Sequence, residues 1–157
     1  MPEIVQLLAS SVHRFVGRPV DGAAPAPADE LVDEIRIRAE LGIVGDRYFG
    51  KPAHRAASVT VIAAESLPAG VGLAQVRRNI LTTGIAVDEL VGSVLVLDSG
   101  AGPVRLRVNR PAHPCAWMDV TIGPGAWRGL RGKGGIRCTP LIDGVLRVGP
   151  VDVLIEP

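Results

Sequence analysis

At 157 residues the chain is the size of one ordinary domain, long enough to bury a core and too short for two well-formed ones. Its 17 basic and 16 acidic residues are interspersed and sum to +1, which excludes a broad nucleic-acid footprint or an acidic tail and leaves room only for a local basic pocket. Apolar residues make up 47% of the chain but aromatics only 3%, so Val, Leu, Ile and Ala must fill the interior, a composition suited to β packing.

The opening IVQLLASSV, residues 4–12, reads as a strand. The first residues lack the basic head, continuous apolar run and small-residue cleavage site of a signal peptide, and no stretch approaches the ~20 apolar residues of a membrane span. The expectation is a cytoplasmic protein with no membrane partner. Residues 22–28, GAAPAPA, form a flexible Pro/Ala loop too short to divide domains, so 1–157 is expected to be a single domain.

LVDEIRIR, residues 31–38, and SVTVIA, residues 58–63, are predicted strands. Val94–Asp98 and Val104–Val108, joined by SGAGP, predict a hairpin with Val104, Leu106 and Val108 on one face and Arg105 and Arg107 on the other. Val145–Val148, a Gly149-Pro150 turn and Val151–Ile155 predict a second. Helical signals are confined to short stretches near 64–67, 88–91, 115–118 and 126–130. Many short strands whose edges must be satisfied point to a mainly β fold, a small closed or nearly closed β-barrel with a few short helices.

Three segments could carry chemistry. The loop GIVGDRYFGKPAHR, residues 42–55, offers turn glycines at Gly42 and Gly45, an acid at Asp46 beside Arg47, and His54, which is more often a surface histidine than a ligand. In Val76-Arg77-Arg78-Asn79-Ile80, read as a strand, successive arginines must face opposite ways, and the inward one needs either a carboxylate such as Asp46 or Asp88 or a bound anion such as phosphate. Asn79 would share the face of Arg77. Cys115, in PAHPC after a strand ending in Arg107, Asn109 and Arg110, sits in a turn among cations, which favours the thiolate needed of a nucleophile or soft metal ligand, with His113 near enough to relay its proton. A small apolar filler is the commoner fate of a cysteine, and it is the one expected of Cys138. CxxC pairs and clustered Cys/His ligands are absent, so neither structural zinc nor a disulfide is expected.

Taken in order, GIVGDRYFG, SVTVIAAE, VRRNILTTGI, DELVGSVLVL, NRPAHPC and GVLRVGPVDVLIEP resemble a stand-alone MOSC domain, the family named for the C-terminal domain of molybdenum cofactor sulfurases, over nearly the whole chain. The resemblance implies a small β-barrel with a molybdenum-cofactor site, in which Arg77, Arg78 and Asn79 grip phosphate and pterin, and Gly45, Asp46 and Arg47 shape the opposite wall. Cys115 occupies the position of the metal-ligating or sulfur-carrying cysteine, with His113, His54 and Arg110 as further candidates. Two departures stand out: Tyr48 replaces a more usual histidine, and GPVDV lacks the family's acidic GD step. Nothing in the chain resembles a pyridoxal-phosphate desulfurase module or a ferredoxin. The leading expectation is a molybdenum-dependent oxidoreductase component acting on small N-hydroxylated compounds with separate electron donors. The alternatives are a sulfur carrier using a Cys115 persulfide supplied by a cysteine desulfurase, and a non-catalytic anion- or protein-binding barrel.

Overall fold

The computed structural model describes residues 1–157. Strands β1 (Glu3–Leu8), β2 (Leu31–Val32), β3 (Glu34–Arg38), β4 (Gly42–Ile43) and β5 (Val59–Ala63) are followed by a one-turn helix α1 (Leu73–Val76) and β6 (Ile80–Thr83). The hairpin β7 (Val94–Asp98) and β8 (Pro103–Pro111) leads to α2 (Trp117–Thr121) and α3 (Ala126–Gly129), and β9 (Ile136–Pro140), β10 (Gly144–Arg147), β11 (Gly149–Pro150) and β12 (Asp152–Glu156) complete the chain. The fold is thus mainly β, with three short α-helices. None of the helices is long and apolar enough to cross a membrane.

A nine-stranded mixed sheet runs β11-β1-β6-β5-β9-β8-β7-β12, with β2 added to β1, and a three-stranded sheet holds β10-β3-β4. The β7–β8 hairpin forms as its alternation predicts: Leu95 pairs with Leu106 and Leu97 with Val104, and all four are fully buried. Each such side chain contributes about 1.5–3 kcal/mol by leaving water. In β5 all five residues are buried because the strand is covered on both faces. Val59, Val61 and Ala63 enter the main core with Ile4, Leu7 and Ile80, whereas Ile62 joins Leu8, Leu73, Val76 and Met118 beneath the helices.

Two expectations are corrected in part. The ladders do not close the large sheet into a barrel: its outer strands β11 and β12 lie on one segment joined through Val151, β11 pairing with β1 and β12 with β7, and no ladder joins β11 to β12. The second hairpin does not form, because its two arms pair elsewhere. β10 pairs with β3, β11 with β1 and β12 with β7, so the terminal segment fans out over three different neighbours.

One register row positions the site. It runs Leu7, Ile80, Val61, Ile136, Pro111 across five adjacent strands. β1 and β8 end, and β6 and β9 begin, at or within one residue of this row, so the segments that leave it, 9–15, 77–79, 112–115 and 134–135, converge.

Candidate anion site beside Cys115

Arg77, Arg78 and Asn79 close the crossover between the parallel strands β5 and β6, and they are not in a strand. Arg77 is the left-handed cap of α1, at φ 59°, ψ 35°. That conformation costs a non-glycine residue about 1–2 kcal/mol, and the surroundings hold it: its N–H donates to the Leu73 carbonyl at 2.8 Å, one guanidinium nitrogen donates to the Val12 carbonyl at 3.1 Å, and another forms a buried ion pair with Glu30. The partner is therefore neither Asp46 nor Asp88. Because the strand alternation is broken at the cap, both arginines are buried, Arg77 4% and Arg78 9% exposed.

Arg78 is held differently. Nε donates to the Gly134 carbonyl at 2.9 Å, Nη1 to Val76 at 3.2 Å, and Nη2 to Ala112 and His113 at 3.3 and 3.4 Å. Four of its five N–H groups meet carbonyl oxygens, leaving one on Nη1, and none of the chain's ion pairs includes it. Burial, and next the like charge of Arg137, bring its pKa down to about 10; Cys115 and Tyr48 act in the opposite sense and Arg47 in the same one. The group stays cationic at neutral pH.

Asn79 is fully buried. Its Oδ1 accepts from the Thr60 N–H and hydroxyl, both at 3.0 Å, and its Nδ2 donates to the Leu8 carbonyl at 3.1 Å. Asn79 thus ties β1 to β5 beneath the arginines. Asp46 is a similar brace: it accepts from the Ser10 N–H and from Arg47, each at 3.1 Å. Gly45, at φ 86°, allows the turn that brings Asp46 there. Arg47 reaches across to the Arg77 carbonyl at 3.1 Å, with its guanidinium carbon 4.6 Å from the centre of the Tyr48 ring.

These groups surround a cleft of about 200 Å³, lined by Arg47, Tyr48, Arg77, Arg78, His113 and Cys115 among the sequence candidates and widened by four residues not anticipated, His13, Arg14, Phe15 and Arg137. Arg14 donates to the Ala24 and Ala74 carbonyls and, like Arg78 and Arg137, is in no ion pair. His13 meets Tyr48 edge to face at 5.6 Å, and His54 is tilted against the same ring at 4.6 Å. Desolvation, then the charge of Arg47, holds His13 below its ordinary value. Gly45, Asp46, Asn79, His54 and Arg110 are outside the lining; Arg110 is exposed, opposite Arg137 across a bulge between β8 and β9.

Cys115 is half-buried, whereas Cys138 lies within the core, where burial pushes its thiol up and leaves it inert. Cys115 therefore is the one thiol open to a ligand. No grouping of three or more His, Cys, Asp or Glu side chains suited to holding a metal ion is present. Five arginines and one cysteine converge on the cleft, against two buried carboxylates, Glu30 and Asp46, that neutralise Arg77 and Arg47.

No protein-family model and no curated protein matches the chain. Solved structures do. The crystal structure of YuaD from Bacillus subtilis is 16% identical and aligns over 100% of this chain and 97% of its own, with a TM-score of 0.73. YiiM from Geobacillus stearothermophilus, 16% identical, aligns over 98% of this chain and 75% of its own at a TM-score of 0.63. YiiM from Escherichia coli, 17% identical, aligns over 98% and 70% at 0.56. The chain shares their fold over its full length.

Proposed function

We propose that this chain binds the molybdenum cofactor in the manner of a MOSC domain and serves as the oxidoreductase component that reduces small N-hydroxylated compounds. The observation that carries the reading is positive charge outside every ion pair, on buried Arg78 and half-buried Arg137, beside the half-buried thiol of Cys115. Unpaired buried charge is costly, and an anionic group with charge-assisted hydrogen bonds relieves it. The ordered motifs that resemble MOSC domains, and the fold shared with YuaD and YiiM, support the same conclusion.

The residues fit the group in charge and donor chemistry. Arg78 and Arg137 offer cationic N–H donors outside every ion pair, and Cys115 offers a soft thiolate for a redox metal. With no other metal-ligating residues grouped around it, Cys115 would be the single protein ligand, the rest coming from the cofactor. The cleft is smaller than the ~300–1,000 Å³ usual for whole ligands, so it would take one end of the cofactor and leave the remainder toward the mouth. When bound, the cofactor would supply the two-electron chemistry that removes the oxygen of an N–O bond as water, with electrons from a separate donor. Arg78 and Arg137 would hold its anionic end, Tyr48 and His13 would form the wall on the substrate side, and Cys115 would fix the metal.

The assay is reduction of an N-hydroxylated amidine by cofactor-loaded protein with a chemical electron donor. Turnover by the wild type and at least a hundredfold loss in Cys115→Ser is expected; equal turnover would refute the role of the thiol. A second reading, sulfur carriage, is favoured by Cys115 being the one accessible thiol. It predicts a mass increase of one sulfur atom on Cys115 after incubation with a cysteine desulfurase and cysteine.

A further inference from the structure

The three adjacent residues Arg77, Arg78 and Asn79 have unequal freedom to meet a ligand. Arg77 is neutralised by Glu30, with both side chains 3% exposed. The polar atoms of Asn79 are committed to Thr60 and Leu8. Of the three, only Arg78 combines deep burial, a place in the cleft lining and absence from every ion pair. A second cation outside the ion pairs, half-buried, comes from elsewhere in the chain. Arg137, on β9, lines the same cleft, takes part in no ion pair and stands close enough to Arg78 for their like charges to repel. Two guanidinium groups line one space, and the one N–H of Arg78 Nη1 not taken by a carbonyl, together with the fork of Arg137, suits an oxyanion.

We propose that Arg78 and Arg137 together form a phosphoryl-binding subsite and that Arg77 is a strut which positions Arg78 without touching the ligand. This inference rests on the reading of the cleft as an anion site and assigns the grip to Arg137, a residue outside the arginine doublet. It has a consequence that a merely structural arginine would not show. Arg137 repels Arg78, so its removal leaves the unliganded protein as stable or more stable while weakening ligand binding.

The experiment is calorimetric titration of the full chain with inorganic pyrophosphate, for wild type, Arg137→Gln, Arg110→Gln and Cys115→Ser, with thermal unfolding of each in the absence of ligand. A charge-assisted pair is lost in Arg137→Gln, so affinity falls about tenfold or more, with an unchanged or raised Tm. Arg110→Gln, an exposed neighbour outside the cleft, changes affinity by less than about twofold. Absent binding by the wild type, equal losses in Arg137→Gln and Arg110→Gln, or unaltered affinity in Arg137→Gln would each overturn the subsite. The molybdenum reading fails separately. If purified wild type carries no molybdenum or pterin but pyrophosphate binding still depends on Arg137, that reading falls and the subsite stands; if Arg137→Gln retains the full cofactor complement, the subsite falls and the reading stands.

Discussion

Glu30 and Arg77, 47 residues apart, form an ion pair that is almost wholly removed from water and that fixes the end of the Pro/Ala loop against the cap of α1. Breaking such a pair by removing one charge leaves the other buried and costs about 3–5 kcal/mol. Glu30→Gln is therefore expected to destabilise the chain by that amount in urea unfolding. The double variant Glu30→Leu, Arg77→Met, which removes both charges, should recover much of the loss. A Glu30→Gln variant as stable as wild type would show that the pair is not the strut described.

Gly134 tests the cradle of Arg78 from its far side. Its carbonyl accepts from Nε of Arg78, and a Cβ at this position would overlap the Ala112 carbonyl, another Arg78 acceptor, and the ring of Pro114. Gly134→Ala must push these backbones apart, at a cost of about 1–3 kcal/mol. The expected result is a lowered unfolding midpoint together with weakened pyrophosphate binding. Unchanged affinity with lowered stability would separate the cradle from the ligand.

His13 confers a pH dependence whose sign follows from its surroundings. Desolvation leads, followed by the charges of Arg47 and His54; Asp46 opposes them, and Arg77 adds a smaller push in the first direction. The folded histidine stays neutral where the unfolded one is charged. The unfolded state then binds more protons, and stability rises with pH from the lowered folded value up to about 6.5. The residue is exposed, so this slope is shallow. An anion in the cleft acts in reverse, favouring protonated His13, so sulfate affinity should rise as pH falls toward the lowered folded value of His13. Nuclear magnetic resonance titration of the imidazole with and without sulfate measures the shift directly. A His13→Gln variant with the same pH profile as wild type would remove His13 from the site.

Much of this architecture is legible in the sequence wherever a local rule decides it. The β7–β8 hairpin follows from alternation and the Gly/Pro turn, and the apolar run before Ala63 marks the strand covered on both faces. That Cys115 and the arginine doublet share one cleft fits the same kind of reading, a thiol among cations and a guanidinium that needs a partner, although the alternation used to choose one arginine does not hold. What escapes is set by distant partners. The left-handed cap at Arg77 breaks a strand pattern that Val76-Arg77-Arg78-Asn79-Ile80 suggests, and Glu30, in an otherwise unremarkable ADE stretch, shows no local sign of being the buried counter-ion. The dispersal of residues 144–156 over three neighbours is invisible because each short piece has ordinary hairpin alternation. Arg137 and the His13-Arg14-Phe15 triplet carried weak signals, a cation two residues after a Gly-Gly pair and a cation-aromatic cluster just past a strand end; only the convergence of strand ends gives them meaning.

The central claim is that an anionic molybdenum cofactor is held between the Arg78 wall and Cys115. Its most direct measurement is the molybdenum and pterin content of the chain purified from a cofactor-competent host, wild type beside Cys115→Ser. The account predicts close to one molybdenum and one pterin per chain in the wild type, with molybdenum lost in the variant. Metal and pterin absent from both, in protein that unfolds cooperatively, would contradict it.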